Sequence, residues 1–574
     1  MATTKWKLIK NVAKAHKPLL VLTLLAGFAY NVVMILIPIS FGKFYEFAFG
    51  FSSHRLKAFG FIPYMDATDP QAFLILFFSL VALRFAFEYG NRYGIALVGE
   101  QFAKTLRDRL FAAQLQISMP VYEEKGTGKY LLRFSGDLKS IQNYVKNGIL
   151  RFIQDVLLLG IVFLSIAYMD GVLALLILGF IGISALLLWS INKVLYRQSL
   201  EKRNRKSGML TFVNTRLRGI ASLKAFNKYT PENKRYRKRS EKLYGIGKRY
   251  ANTVSFLQAC IPALTYCLLG VIMLYVLSTS FYQKDSGGSS LLIIILLLLA
   301  ILPVLRRTLK VSIVWKLGNI SFEKLINILE LPKENELPYE KLSLENHPIR
   351  LENVNYSYGD MGSLVFADLS LEILPKTTTL FHGPSGSGKS TLIKLLLKSI
   401  SPEKGRLVFG KTPFSSISEK TIRKHLAVVS SDYPLYGKDV YEAIVYSRNT
   451  ERKARAHRLL QRLQQYEKPE DRLQLGDRIG DLGGNLNSGQ TKLLLYCRAL
   501  LTDKPFLIIE EPLECLSPKT ARVVSDILID LQGYKTIIVL SQTKMSYLKP
   551  DNSYDLHAER NQSPIELEIA SEKN

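Results

Sequence analysis

The sequence predicts a multidomain chain. An all-α transmembrane domain of six helices with long cytoplasmic helical extensions comes first. An α/β domain built around a phosphate-binding loop follows. Three observations predict this. Long apolar runs fill the first half of the chain, and ordinary globular texture fills the second. Polar, basic stretches of helical period separate several of the apolar runs. Gly383-Pro384-Ser385-Gly386-Ser387-Gly388-Lys389-Ser390-Thr391 stands between two short apolar segments in the second half. A length of 574 residues accommodates two or three domains.

The first 17 residues carry Trp6 and several lysines and lack a small-residue cleavage site. They read as an amphipathic lead-in at a membrane surface, not as a secretory signal. The first span is expected at 19–41, since spanning takes roughly 20 apolar residues. Pro38 near its outer end is tolerable where neighbouring helices satisfy the freed carbonyl. An external loop, 51–71, leads to the second span at 72–98. This span holds Arg84 and Glu88 one turn apart. Such a pair either lines a cavity or packs helices as an i,i+4 ion pair. With Asn31, Asn91 and Arg92, it suggests a cavity that is not purely apolar.

Residues 100–151 are polar, basic and helical in period. Spans three and four, 153–169 and 172–194, meet at a tight turn, Asp170-Gly171. Residues 195–250 are again long, helical and basic, as in the run from Lys234 to Arg239. That run reads as a solvated helix face, with binding of anionic headgroups as the alternative. Spans five and six are expected at 254–277 and 291–304, joined by a Gly/Ser turn at 283–290. The external loops hold few Lys or Arg and the two long inner segments hold many, which places both termini in the cytoplasm. The net charge of +28 therefore reflects membrane topology, and no nucleic-acid partner is expected. Cys260, Cys267, Cys497 and Cys515 show neither metal spacing nor a disulfide framework and read as small buried apolar residues. The expected boundaries are 1–310 for the transmembrane domain, 311–348 for a linker and 349–574 for the nucleotide domain.

From residue 349 the pattern changes to short β-type runs. Residues 350–358 alternate as a strand, with further strands at 406–409, 425–429 and 536–540. A polar helical region is expected at 440–466 and a helix at 491–501. The segment Gly383–Thr391 matches G-x-x-x-x-G-K-[ST], with a strand before it and a helix after it. Its glycines let backbone N–H groups curl around phosphate oxygens at a helix start. Lys389 would reach the β- and γ-phosphates and Ser390 would offer its hydroxyl to Mg²⁺. Phe506-Leu507-Ile508-Ile509-Glu510-Glu511 reads as a buried strand delivering two acids. Glu510 would hold Mg²⁺ and Glu511 would polarise the attacking water. The structural alternative is that the acids only cap the next helix.

In this order the parts resemble the ABC exporters of the six-span half-transporter type, over essentially the whole chain. Tyr358 resembles the aromatic residue that stacks on adenine in that family. Asn485-Leu486-Asn487-Ser488-Gly489-Gln490 resembles the signature segment, usually L-S-G-G-Q. Gly126-Thr127-Gly128 and Gly219–Phe226 resemble segments beside the two coupling helices. The sequence departs from the family at several places. Ser431 stands where a Gln usually serves as Mg²⁺ ligand, and Asn487 and Ser488 stand where Ser and Gly do. Glu510 replaces an Asp, Pro512 follows Glu511, Ser517 replaces an Asp, and Gln542 replaces the switch His. The resemblance implies ATP and Mg²⁺ as cofactors. It implies a homodimer, or a heterodimer with a second half-transporter, in a plasma or inner membrane. The expected function is ATP-driven export of a lipid, peptide or amphipathic compound by alternating access. The alternative is a catalytically impaired ATP-binding subunit paired with a more regular partner.

Overall fold

The computed structural model describes residues 4–49, 70–125, 130, 133–278, 289–334, 346–358, 364–446, 452–543, 545 and 548–557. Gly126-Thr127-Gly128, most of the expected loop 51–71 and turn 283–290, and residues 335–345 of the expected linker lie outside the described residues. Contacts divide the chain into two units, Met1–Gln116 with Lys125–Leu331, and Ile117–Glu124 with Pro332–Asn574.

In the first unit the helices are α1 (Lys5–Ala15), α2 (Lys17–Phe49) and α3 (Pro70–Leu115). A short α4 (Met119–Lys125) follows, and residues Ile117–Glu124 cluster with the second unit. Then come α5 (Leu138–Asn143), flanked by π-helical Arg133–Asp137 and Tyr144–Leu150, α6 (Arg151–Met169) and α7 (Gly171–Arg218). The unit closes with α8 (Ile220–Ala225), α9 (Tyr229–Ser278) and α10 (Ser289–Leu329).

Several of these helices outrun their spans. α3 has 46 residues, α7 has 48 and α9 has 50. Each is about 70 Å or more long, over twice the roughly 30 Å hydrocarbon core. Apolar span and polar extension are one rod because no breaker separates them. Five helices among the described residues are long and apolar enough to cross a membrane, and the sixth expected span falls within α10. α10 also absorbs 311–329, expected as linker. The two units part at Leu331, just before Pro332. The expected helical stretch 195–250 breaks at Gly219 and again at Asn227, whose φ is +51°. The turn between α6 and α7 is Asp170 alone. Its carboxylate accepts from Leu173 N at 3.0 Å and from the Tyr275 hydroxyl at 3.2 Å.

Ile39, Leu158, Leu173, Ile272, Ile293 and Leu297 form part of the apolar core of this unit. A buried amide clasp crosses it. Gln154 Nε2 donates to Asn91 Oδ1 at 2.9 Å, and Asn91 Nδ2 returns a bond to Gln154 Oε1 at 3.1 Å. Asn31 Nδ2 donates to Gln154 O at 2.8 Å. Satisfied amides are what an apolar surround demands.

The second unit carries two sheets. β1 (Ile349–Ser357), β2 (Leu364–Ile373), β4 (Lys404–Phe409) and β5 (Thr412–Pro413) form an antiparallel sheet in the order β2-β1-β4-β5. β3 (Thr378–His382), β6 (Leu426–Val429), β7 (Phe506–Glu510), β8 (Thr536–Ser541) and β9 (Asn552–Asp555) form a parallel sheet in the order β6-β7-β8-β3-β9. The near-continuous burial of β3, β7 and β8 is that of a parallel sheet covered on both faces. Its helices are α11 (Lys389–Leu396), α12 (Glu419–His425), α13 (Val440–Val445), α14 (Lys453–Leu463), α15 (Ser488–Leu500) and α16 (Pro518–Leu531).

The polar helical region expected at 440–466 holds two helices, α13 and α14. Tyr446, with φ +56°, ends the first. His425, expected in a strand, ends α12 instead. The helix expected to start at 491 starts at Ser488, because Asn487 and Gln490 form a reciprocal capping box. Ser517, at the family's Asp position, caps α16 through the Thr520 N–H. Of the cysteines, Cys497 is buried, whereas Cys267 and Cys515 are exposed, against the expectation of burial.

Candidate nucleotide-binding site

The parallel sheet presents the loop after β3 beside the ends of β7 and β8. Gly386 and Gly388 hold φ of +84° and +99°, a backbone that side-chain-bearing residues rarely adopt. A Cβ on Gly388 would also sit 2.7 Å from the Phe366 ring. The left-handed turn at Gly388 starts α11 directly, which leaves the first-turn amides open to an anion. Lys389 is buried, and its ammonium donates to the carbonyls of Gly383 at 2.7 Å and Pro384 at 3.0 Å. The Ser387 hydroxyl is buried without a protein partner. A phosphate in this cradle would satisfy such groups, so the residues fit a nucleotide.

Opposite the loop, Glu510 ends β7. Its carboxylate accepts from Ser390 Oγ at 2.7 Å and from Ser430 Oγ at 2.5 Å. Ser430 is fully buried just beyond β6. Among the described residues no group of three or more His, Cys, Asp or Glu gathers as a metal cluster. A divalent ion between Ser390 and Glu510 would therefore draw its other oxygens from phosphate and water, as Mg²⁺ does.

Glu511 follows with φ +44°, in the left-handed region despite its side chain. Its N–H donates to Leu540 O at 2.8 Å. Its Oε2 accepts from Ser541 Oγ and from Gln542 N, each at 3.3 Å, while Oε1 is buried with no partner. A strained residue presenting a free carboxylate oxygen suits a group that engages water only when substrate arrives.

Many of these residues line a cleft of about 680 Å³, though Gly383, Pro384 and Ser387 do not. Of the sequence-predicted residues, Tyr358, Ser385, Gly386, Gly388, Lys389, Ser390, Thr391, Ser431, Ser488, Glu510, Glu511 and Gln542 line it. The Tyr358 hydroxyl lies 3.2 Å from Thr391 Oγ1, and one face of its ring has the Lys394 ammonium 5.4 Å from the centroid. Lys394 also donates to Glu123 Oε1 at 2.7 Å. Burial pulls the Lys394 ammonium down, but Glu123 and Tyr358 outweigh it and hold the group above its ordinary value.

Asn487, Gly489 and Gln490 are not brought to the cleft wall. Asn487 Oδ1 accepts from Gln490 N at 2.7 Å, and Gln490 Nε2 donates to Asp471 O at 2.9 Å. The side chains of Asn487 and Gln490 serve the start of α15.

Sequence reasoning missed Ser430, Asp432, Thr491, Lys492, Glu514 and Cys515. All but the first line the cleft, and Ser430 reaches it through Glu510. Lys492 had a readable signal: it stands four residues after Ser488, on the same helix face once Asn487 is taken as the cap. Burial lowers the Lys492 pKa, and Glu514 and Glu510 oppose that shift.

Known proteins resemble this chain in sequence and fold. The family model for the ABC transporter transmembrane region matches residues 20–304, and that for the ABC transporter matches residues 366–514. An ATP-dependent lipid A-core flippase of Nitrosococcus oceani is 25% identical over 509 residues, covering 86% of this chain and 84% of that protein. The flippase of the same name from Escherichia coli K12 is 22% identical over 478 residues, covering 82% of this chain and 81% of that protein. A solved bacterial Atm1-family ABC exporter with ATP bound shares the fold, with a TM-score of 0.79 at 16% identity, covering 96% of this chain and 94% of that one.

Proposed function

This chain belongs to the ABC transporters, as a fused membrane and ATPase half-transporter that drives export with ATP, and we propose that its cargo is an anionic amphiphile. One observation carries the choice. Within the membrane unit a cavity of about 400 Å³ is lined by Arg84, Arg92 and Arg307 against one lining carboxylate among the described residues, Glu88. Tyr30, Met34, Ile37 and Leu299 supply its apolar wall. Charges at that depth are costly unless they face water, protein or a ligand. Glu88 pairs with Arg92 at 2.6 Å, and Asp155 pairs with Arg307 at 2.7 Å. The lining still carries more cation than anion. A phosphate-bearing headgroup with acyl chains matches cations beside an apolar wall. The flippases similar to this chain are named for lipid A-core, a lipid.

The second unit supplies the stroke. ATP with Mg²⁺ would bind Lys389, Ser390 and the loop amides, with Glu510 on the metal, Tyr358 at the base and Glu511 at the attacking water. The protein would work as a dimer, homo- or heteromeric, in a plasma or inner membrane with both termini cytoplasmic. A second reading, an ATP-binding subunit with weakened chemistry beside a more regular partner, is favoured by one observation. The Asn487 amide oxygen is engaged as a helix cap.

The test is ATPase activity and lipid translocation in proteoliposomes. Phosphate-bearing lipids should stimulate hydrolysis more than neutral lipids of the same chain length, and Arg84→Gln with Arg307→Gln should erase the difference. Equal stimulation by both lipid classes would refute the anionic cargo. A purified chain that binds ATP but hydrolyses none, alone or with lipid, would favour the second reading.

A further inference from the structure

Lys492 has no part in the roles assigned so far, yet it is built against the backbone that carries the two acids. It stands one turn inside α15 and is 8% exposed. Its ammonium donates to the backbone carbonyl of Glu510 at 2.6 Å. Glu514, Glu510 and Glu511 all act on its charge. The carbonyl it holds belongs to the peptide joining Glu510 to Glu511. The N–H of that same peptide donates to Leu540 O at 2.8 Å. The peptide plane is therefore clamped at both edges, by Lys492 on one side and by β8 on the other. Its orientation helps set φ of Glu511, which sits at +44° where a free Glu would not rest. That φ in turn directs the carboxylate whose Oε1 is buried and unpartnered.

We propose that Lys492 is a positioning residue for ATP hydrolysis: its ammonium pins the Glu510–Glu511 peptide and so holds Glu511 in its strained, water-directed conformation. The proposal rests on reading Glu511 as the residue that polarises the attacking water. It also has a consequence for the pair of sites in a dimer. α15 begins at the segment resembling the ABC signature, so Lys492 ties that segment to the acids of its own chain. An Arg at this position keeps the charge and the donors. A Met keeps the length and the apolar stem but releases the carbonyl.

The experiment uses the full chain in nanodiscs, with steady-state ATPase kinetics and equilibrium binding of a fluorescent ATP analogue. For Lys492→Met, kcat should fall by roughly tenfold to a hundredfold while KM and analogue binding change by less than about twofold, the mark of a group acting in the transition state. Lys492→Arg should recover part of kcat. On a Glu511→Gln background, Lys492→Met should add no further loss, because two residues acting through one group are not additive. Unchanged kcat in an active protein overturns the proposal, as do losses that multiply with Glu511→Gln. Loss of kcat in step with loss of analogue binding, without rescue by Arg, marks a merely structural lysine and overturns it too. A wild-type chain with no ATPase activity overturns the reading of Glu511 and this proposal with it.

Discussion

Ser430 and Ser431 offer a decisive pair of substitutions, because sequence alignment to the family's pattern points to one and the geometry to the other. Ser431 stands where a metal-liganding Gln is usual, yet Ser430 donates to Glu510 Oε2 at 2.5 Å. Ser390 holds the other oxygen at 2.7 Å. With Ser390 and Glu510 as the residues that would hold Mg²⁺, Ser430 would remain the donor that orients the carboxylate. A hydrogen bond to a charged group contributes about 1.5–3 kcal/mol. Glu510 is half-buried, so water replaces part of a lost donor and the low end of that range applies. About 1.5 kcal/mol corresponds to about tenfold in rate. Ser430→Ala should thus lower kcat/KM for MgATP about tenfold and raise the Mg²⁺ concentration needed for half-maximal activity. Ser431→Ala should change both by less than about threefold, since water can take its place on the cleft wall. The assay is ATP hydrolysis titrated with Mg²⁺ at fixed nucleotide. A Ser431→Ala defect larger than that of Ser430→Ala would refute the reasoning.

Gly388→Ala combines a left-handed backbone, about 1–2 kcal/mol, with a contact 2.7 Å from Phe366, roughly another 1–3 kcal/mol. Equilibrium ATP-analogue binding should weaken at least about tenfold. Gly386→Ala, whose Cβ meets nothing within 4 Å, should do less harm, and equal losses would contradict the packing argument. In the membrane unit, Gly27→Ala would place a Cβ 2.0 Å from Gln154 Nε2 and split the amide clasp. Its melting temperature in detergent should drop by several degrees, about 1–3 kcal/mol of overpacking, whereas Gly160→Ala meets nothing within 4 Å and should match the wild type. Burial first, then Arg498, lowers the Lys504 pKa below its ordinary 10.5. In the alkaline range beneath that value the folded chain binds fewer protons there than the unfolded chain, so this group's contribution to stability rises with pH. The melting-temperature gap between wild type and Lys504→Met should widen in the wild type's favour as pH climbs towards 10.5, and a constant gap would show that the shift is absent.

Much of the fold was legible because its signals are local. Hydropathy runs announced α2, α3, α6, α7 and α9 through windows of about 20 residues. β3, β7 and β8 were legible as buried apolar runs. Boundaries were harder where a side chain chose its role. Asn487 could read as a phosphate contact or as a helix cap, and the Gln490 partner that makes it a cap is only three residues away. Of the linker expected at 311–348, Phe322–Leu331 already has helical period and ends before Pro332, and the structure carries the helix continuously from the last span through to Leu329. Ile117–Glu124 gave no sign in sequence that it belongs with the second unit.

By itself the sequence determined the phosphate loop, the two acids and the membrane spans. Each is set by residues adjacent along the chain, through glycine stereochemistry, strand burial or helix length. Only the tertiary structure decided which hydroxyl meets Glu510, since Ser430 directly follows β6 whereas Ser431 lies in the turn that Tyr433 N–H closes on Ser430 O. It alone brought Arg307 of α10 to the cavity of Arg84 and Arg92 on α3, and set Lys492 on the carbonyl of Glu510. Those meetings depend on how separate elements pack, and packing joins residues whose separation along the chain carries no local signal.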